Sequence, residues 1–77
     1  MADKIDPTGK LPPYVQIAEI IAAEIKSGQY PRGSKIPSET ELLQRFEVAR
    51  STVRRSFRLL REQGLIETVK TRGSYVL

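Results

Sequence analysis

The stretch from Ser38 to Gly64 constrains the fold more than any other part of the sequence. Ser38-Glu39-Thr40-Glu41 is a capping box. The Ser38 hydroxyl can accept the amide of Glu41, while the Glu41 carboxylate reaches back to the amide of Ser38. The helix that follows turns Leu42, Leu43 and Phe46 toward a core and ends near Phe46. Three residues later a second helical pattern begins, running from about Arg50 to Gln63 and stopped by Gly64. Val53, Phe57 and Leu60, at spacings of four and three, form its buried stripe. Ser51, Arg54, Arg55, Arg58 and Glu62 lie off that stripe, so its polar face is rich in arginine. Two helices joined by so short a turn form a helix-turn-helix unit, over about residues 39–58.

The flanking sequence supplies what such a unit packs against. Residues 1–11 carry Gly, Pro and scattered charge without periodicity and read as a flexible arm. Pro12-Pro13 opens a first helix, since proline suits the first turn, where no amide donor is needed. Tyr14, Ile17, Ala18, Ile21 and Ile25 recur at helical spacing, and Gly28 is a natural stop, which gives a helix over about 13–27. Residues 29–37, broken by two prolines and a glycine, hold a tight turn and one very short strand around Lys35-Ile36. After Gly64, residues 65–69 and 74–77 alternate as strands around Lys70-Thr71-Arg72-Gly73, which reads as a hairpin. The expected core is Ile17, Ile21, Ile25, Leu42, Phe46, Val53, Phe57, Leu60 and Ile66.

Composition narrows the chemistry. A chain of 77 residues supports one small core. It has no cysteine and no histidine, which removes disulfides, thiolate metal sites and the commonest general base. Glu39 and Glu41 come nearest to a catalytic carboxylate pair, but the capping box accounts for both, so no enzyme, cofactor or metal is expected. No apolar run is long enough to span a membrane, and the opening residues do not form a secretory signal, so the chain reads as cytoplasmic.

Charge is unevenly placed. Residues 1–44 hold five basic and six acidic side chains, whereas residues 45–72 hold eight basic against three acidic, seven of the eight being arginine. A solvated basic face alone could account for the excess. Arginine's planar fork, however, suits phosphate oxygens and guanine edges. The DNA major groove, about 12 Å wide, admits one helix with an apolar side for its own domain and a donor-rich side for bases. The third helix has both sides. The expected fold is therefore mainly α with a small β-hairpin (α+β), a winged helix-turn-helix of three helices over residues 12–77 with a C-terminal wing over about 65–77.

Five blocks of sequence, in order and at the right spacings, resemble the N-terminal DNA-binding domain of the GntR-type bacterial transcription regulators. They are Leu11-Pro-Pro-Tyr14-Val-Gln16-Ile17 through Ile25-Lys-Ser-Gly28, then Gly33-Ser-Lys-Ile-Pro37-Ser38-Glu39, then Val48-Ala-Arg50-Ser-Thr52-Val53-Arg54, then Leu60-Arg-Glu-Gln-Gly64-Leu65-Ile66, and finally Arg72-Gly73-Ser74-Tyr75-Val76. The first block is most similar to the HutC-type branch. The resemblance implies that Arg50 and Arg54 contact bases and phosphates from the start of the recognition helix, with Ser51 and Thr52 reaching phosphates or base edges between them. It implies that Arg72 and Gly73 form the wing tip, the glycine letting the backbone approach the minor groove, with Lys70 alongside. Arg55 falls at a position that varies within the family and is assigned to specificity.

The sequence also departs from the family pattern. Thr40 stands where arginine is usual, so a charge-assisted DNA contact is replaced by a hydroxyl. Glu47 stands where the turn usually has glycine, at about 1 kcal/mol if that residue needs positive φ. Ala49 replaces the usual hydroxyl N-cap, again at about 1 kcal/mol unless the helix start shifts. Thr71 replaces a wing glycine, so the wing tip is expected to differ in shape.

The function implied is sequence-specific binding of double-stranded DNA for transcription regulation, as the operator-binding domain of an effector-responsive repressor. Such regulators carry a C-terminal domain that binds an effector and dimerises, and 77 residues have no room for one, so a homodimer on a palindromic or near-palindromic operator is expected for the full protein. Two readings stand against this one. A winged helix can serve as a protein-interaction module, although that use does not call for arginines on the third helix, and an enzyme would have to work without histidine or cysteine. Tyr14 and Tyr75 read as packing residues, not base-stacking ones.

Overall fold

The computed structural model describes residues 5, 6 and 8–77. Three helices, α1 (Pro13–Lys26), α2 (Glu39–Phe46) and α3 (Arg50–Glu62), precede two strands, β1 (Ile66–Val69) and β2 (Gly73–Val76). The strands pair antiparallel, Ile66 with Val76 through Val69 with Gly73. This is the expected fold, three helices followed by a wing. The boundaries shift by one residue: Ser27 and Gln63 cap α1 and α3, and Leu65 stays outside β1.

All three helices stop by the same device. After α1 the Gln29 amide reaches the Glu24 carbonyl at 3.0 Å, and after α3 the Leu65 amide reaches the Leu60 carbonyl at 3.1 Å. Each of these turns passes through a left-handed glycine, Gly28 (φ 90°) and Gly64 (φ 76°). The α2 stop shares this bond, Val48 amide to Leu43 carbonyl at 3.1 Å, but the amide of its left-handed residue reaches the same Leu43 carbonyl, where Gly28 and Gly64 reach Ile25 and Arg61. There the left-handed residue is Glu47, at φ 57°, ψ 50°. The start of α2 is the expected capping box, with Glu41 donating its amide to the Ser38 hydroxyl and Ser38 donating its amide to the Glu41 carboxylate.

The core joins Ile17, Ala18 and Ile21 of α1, Leu42 and Phe46 of α2, and Val53, Phe57 and Leu60 of α3 to Ile36, Ile66 and Val76. α3 runs against α1 and also packs on α2 and β1. Ile25, expected inside, lies in the last turn of α1 and is only partly buried, packed against the edge of the core. Ile36 and Val76 are core members that helical periodicity cannot reveal. They enter because residues 34–36 pair with the free edge of β2: Val76 donates to the Ser34 carbonyl and Ile36 to the Ser74 carbonyl, both at 2.9 Å, with a bridge between Lys35 and Tyr75. The wing is thus fastened to the turn before α2.

Buried polar groups are few and partnered. Ser56 is fully buried in the α1–α3 contact, where its hydroxyl donates to the Tyr14 carbonyl at 2.8 Å and also lies 3.1 Å from the Thr52 carbonyl. Arg45 pairs with Glu24 and lies over the Phe46 ring, 4.8 Å from its centroid, joining α2 to α1. Of the N-terminal arm, residues 1–4 and 7 lie outside the described residues. The Gln16 carboxamide holds the described part against α1, accepting from the Asp6 amide at 2.8 Å and donating to the carbonyls of Asp6 and Leu11 at 2.8 and 2.7 Å.

Candidate nucleic-acid interface

The three-residue turn after α2 brings the first turns of α2 and α3 side by side. Arg50 opens α3 and Arg54 follows one turn later, so both side chains leave the same face. Both converge on Glu39, the first residue of α2. Arg50 Nη1 donates to Glu39 Oε1 at 3.1 Å, and Arg54 Nε donates to Oε1 and Oε2 at 3.2 and 3.1 Å. Arg50 Nη2 also donates to the Thr40 hydroxyl at 3.2 Å. Four residues from two helices therefore form one cluster, and it stays in reach of solvent: the side chains of Arg50 and Arg54 are 45% and 64% exposed.

Glu39 was expected to be explained by the capping box, and here the structure corrects the sequence reading. Glu41 alone serves the cap, and Glu39 is the counter-ion of two arginines. Burial opposes ionisation of its carboxyl, but the hydrogen bonds and charges of Arg54 and Arg50 outweigh it and hold the carboxyl below the ordinary glutamate range. Within the same helix turn, Ser51 is exposed and Thr52 half-buried, its carbonyl beside the Ser56 hydroxyl. Ala49 is the N-cap of α3, with no side-chain bond to the first turn, so the helix does not shift its start to recover one.

Arg55 departs from this cluster. One residue on from Arg54 it turns to another side of the helix, and its guanidinium lies over the Tyr14 ring, 4.1 Å from the centroid. Arg55 therefore faces the start of α1 and not Glu39. The other arginines divide similarly. Arg61 Nη1 donates to the Thr68 hydroxyl at 2.9 Å, and Thr68 in turn bonds the buried Ser74 hydroxyl, which ties the wing to α3. Arg58 is exposed.

At the far end of the hairpin, Lys70, Thr71 and Arg72 are all exposed, and the Arg72 amide closes the turn on the Val69 carbonyl at 2.9 Å. Thr71 takes φ 66°, so it keeps the left-handed backbone that a glycine would adopt there and carries the strain of a β-branched side chain. Gly73 takes φ 124°, which disfavours any side chain, and it lies beside the flexible end of Lys35. A Cβ there would lie 2.5 Å from Lys35 Cε and 3.4 Å from its Nζ, because the Lys35 side chain crosses the glycine on its way to the wing. Lys35 is the cation that sequence reasoning missed. Its position follows from the Lys35–Tyr75 bridge, a pairing across forty residues for which the sequence carries only the short-strand signal. No group of three or more potential metal ligands occurs among the described residues, and none of their helices is long and apolar enough to cross a membrane.

Three helices, a hairpin fastened behind the third, and arginines presented from the start of that third helix define a winged helix-turn-helix domain. More narrowly, the chain belongs to the GntR family: residues 13–76 match the family described as bacterial regulatory proteins, gntR family. Over 68 residues, 88% of this chain and 14% of the relative, it is 44% identical to YdfD of Bacillus subtilis (strain 168), an uncharacterized HTH-type transcriptional regulator. Over 65 residues, 84% of this chain and 26% of the relative, it is 32% identical to the histidine utilization repressor of Pseudomonas aeruginosa. Among solved structures, AraR(DBD) in complex with operator ORE1 superposes with a TM-score of 0.91 at 35% identity, all of each chain being covered. The chain thus spans only a small part of the length of these full-length relatives. It is a DNA-binding domain of transcription regulation, and the family is one of regulators, not enzymes.

Proposed function

We propose that this domain reads an operator with the first turns of α3 in the major groove and the wing at the adjacent minor groove or backbone, within an effector-responsive repressor. The observation that carries the reading is the pairing of Arg50 and Arg54 on one exposed face beside the start of α2. Two guanidinium forks one helical turn apart match successive base edges, and each good bidentate contact to guanine is worth about 1–3 kcal/mol of discrimination. That AraR(DBD), so similar in fold and sequence, forms a complex with an operator supports operator binding here.

The remaining contacts serve register. Thr40, Ser51 and Thr52 offer hydroxyls to phosphates, Ser51 and Thr52 within reach of base edges as well. Arg55, expected from the sequence to bear on specificity, is held by Tyr14 at the start of α1, where it offers a cation to phosphate instead. Lys70, Thr71, Arg72 and Gly73 form the wing contact, and Lys35 joins them by lying across Gly73. Phosphate contacts of this kind position the protein without reading sequence. The full-length protein acts in the cytoplasm as a homodimer, joined through a C-terminal domain, on a palindromic or near-palindromic site, since two copies related by a two-fold axis present two α3 helices to two half-sites.

The test is in-vitro selection of random duplex DNA by the domain, followed by fluorescence anisotropy at two salt concentrations. A short, well-defined half-site bound with strong salt dependence is expected. Arg54→Ala should abolish the preference for that half-site while leaving the fold intact. Selection by the variant of the same half-site would refute the assignment of α3 as the reading helix.

A further inference from the structure

We propose that Glu39 is a positioning residue that sets DNA specificity, by orienting Arg54 for base readout and by opposing the docking of Arg50 and Arg54 on phosphates. The inference rests on the operator-binding reading above and deepens it. Glu39 stands at the first position of α2, but the cap of that helix is already complete in Ser38 and Glu41. Its carboxylate instead faces across to α3, half-covered at 30% exposure, in the middle of the surface that would meet DNA.

The two arginines are held differently. Arg54 is engaged through Nε alone, so the terminal nitrogens of its guanidinium stay out of these bonds while the plane of the group is fixed. A bidentate fork aimed in advance loses less side-chain freedom on binding. Arg50 donates through both terminal nitrogens, one to Glu39 and one to Thr40, so although other N–H groups of its guanidinium remain, turning this pair toward a base or a phosphate exchanges both partners. That exchange is compensated where a guanine edge accepts two hydrogen bonds. It is poorly compensated at a phosphate, because the phosphate must also approach the Glu39 charge. Non-specific binding is driven almost wholly by phosphate neutralisation and counterion release. A carboxylate between the reading arginines therefore subtracts more from random DNA than from the operator.

Glu39→Gln keeps the size of the side chain, the capping box and a carbonyl acceptor, and removes the charge. Glu39→Asp keeps the charge and withdraws it by one methylene. Both are compared with the unaltered domain by anisotropy on the selected half-site duplex and on a scrambled duplex of equal length, at 50 and 200 mM salt, with thermal melts as a check on folding. Glu39→Gln should bind the scrambled duplex more tightly and lose at least tenfold in operator preference. Its salt slope on the scrambled duplex should steepen by about one phosphate equivalent, which is roughly a further three- to fourfold loss of affinity between the two salt concentrations. Glu39→Asp should lose operator preference with the original slope, since orientation is disturbed and charge is not. If the unaltered domain fails to discriminate, the operator-binding reading falls and the Glu39 role falls with it. If the unaltered domain discriminates and Glu39→Gln shifts both duplexes by the same factor, only the Glu39 role is overturned. A lowered melting temperature with unchanged preference and slope would likewise overturn it, since that is the signature of a residue acting only on the α2 dipole.

Discussion

Glu47 sits in the left-handed region at φ 57°, ψ 50°, at the one helix stop of three that has no glycine. For an L-residue that conformation costs roughly 1–2 kcal/mol, from the approach of Cβ to the following carbonyl. Glycine removes the cost but loses more chain entropy on folding, about 0.4–1 kcal/mol. Glu47→Gly should therefore stabilise the domain by about 0.5–1 kcal/mol, raising the midpoint of a domain this size by roughly 3–6 °C. The side chain is exposed and buries nothing, so no lost packing offsets the gain. Thermal and urea unfolding without DNA measure it, since removal of a negative charge from the helix-turn-helix turn would alter DNA affinity separately. Glu47→Ala is the control: it removes the same charge and keeps Cβ, so it should show none of the conformational gain. Gly64→Ala is the mirror experiment at the equivalent stop of α3. A Cβ there meets nothing within 4 Å, yet φ 76° should still make the change destabilising by about 1 kcal/mol. Equal effects of Glu47→Gly and Glu47→Ala would refute the argument from backbone strain, as would a loss of stability in Glu47→Gly.

Other consequences follow from single contacts. Ser56→Ala should destabilise by about 1 kcal/mol in urea titrations, because the hydroxyl that links α3 to the Tyr14 carbonyl is lost inside a closed core; an unchanged midpoint would mean that the bond contributes nothing net. Lys35→Ala and Arg72→Ala should each weaken operator and scrambled duplexes alike and reduce the salt slope by about one, whereas loss of binding to the operator alone would remove them from the phosphate-contacting set. The Glu39 carboxyl titrates below its ordinary value of 4.5, so its ion pairs stabilise the fold above that pH and the contribution is lost as the pH falls through the lowered folded value. Melting temperatures followed from pH 7 down to pH 3 should therefore fall less steeply for Glu39→Gln than for the unaltered domain, and superimposable acid limbs would contradict the pairing.

The features legible in the sequence are those governed by neighbours along the chain. The capping box at Ser38 and Glu41, the proline start of α1, the glycine stops at Gly28 and Gly64 and the hairpin around residues 70–73 each depend on groups within a few residues of one another, and each stands where the pattern put it. The helical stripes of α2 and α3 likewise found most of the core and the arginine-bearing face. The departures at Glu47 and Ala49 could be read as costs because their backbone roles are local too: Glu47 does take the left-handed conformation, and Ala49 does cap α3 without a side-chain bond.

What only the tertiary structure decided is which charge meets which. Glu39 and Arg54 are fifteen residues apart, Arg45 and Glu24 twenty-one, and Ser56 and Tyr14 forty-two. Composition alone treats Arg45, Arg54, Arg55 and Arg61 as one basic run. The fold assigns them to Glu24, Glu39, Tyr14 and Thr68, and it adds Lys35 to a wing forty residues further along the chain. Helix and turn signals arise from bonds between near neighbours, so a local pattern can carry them. Partners in an ion pair are chosen by the angle at which helices cross and the edge on which a strand docks, and those are set by packing the apolar faces together, not by any spacing along the chain.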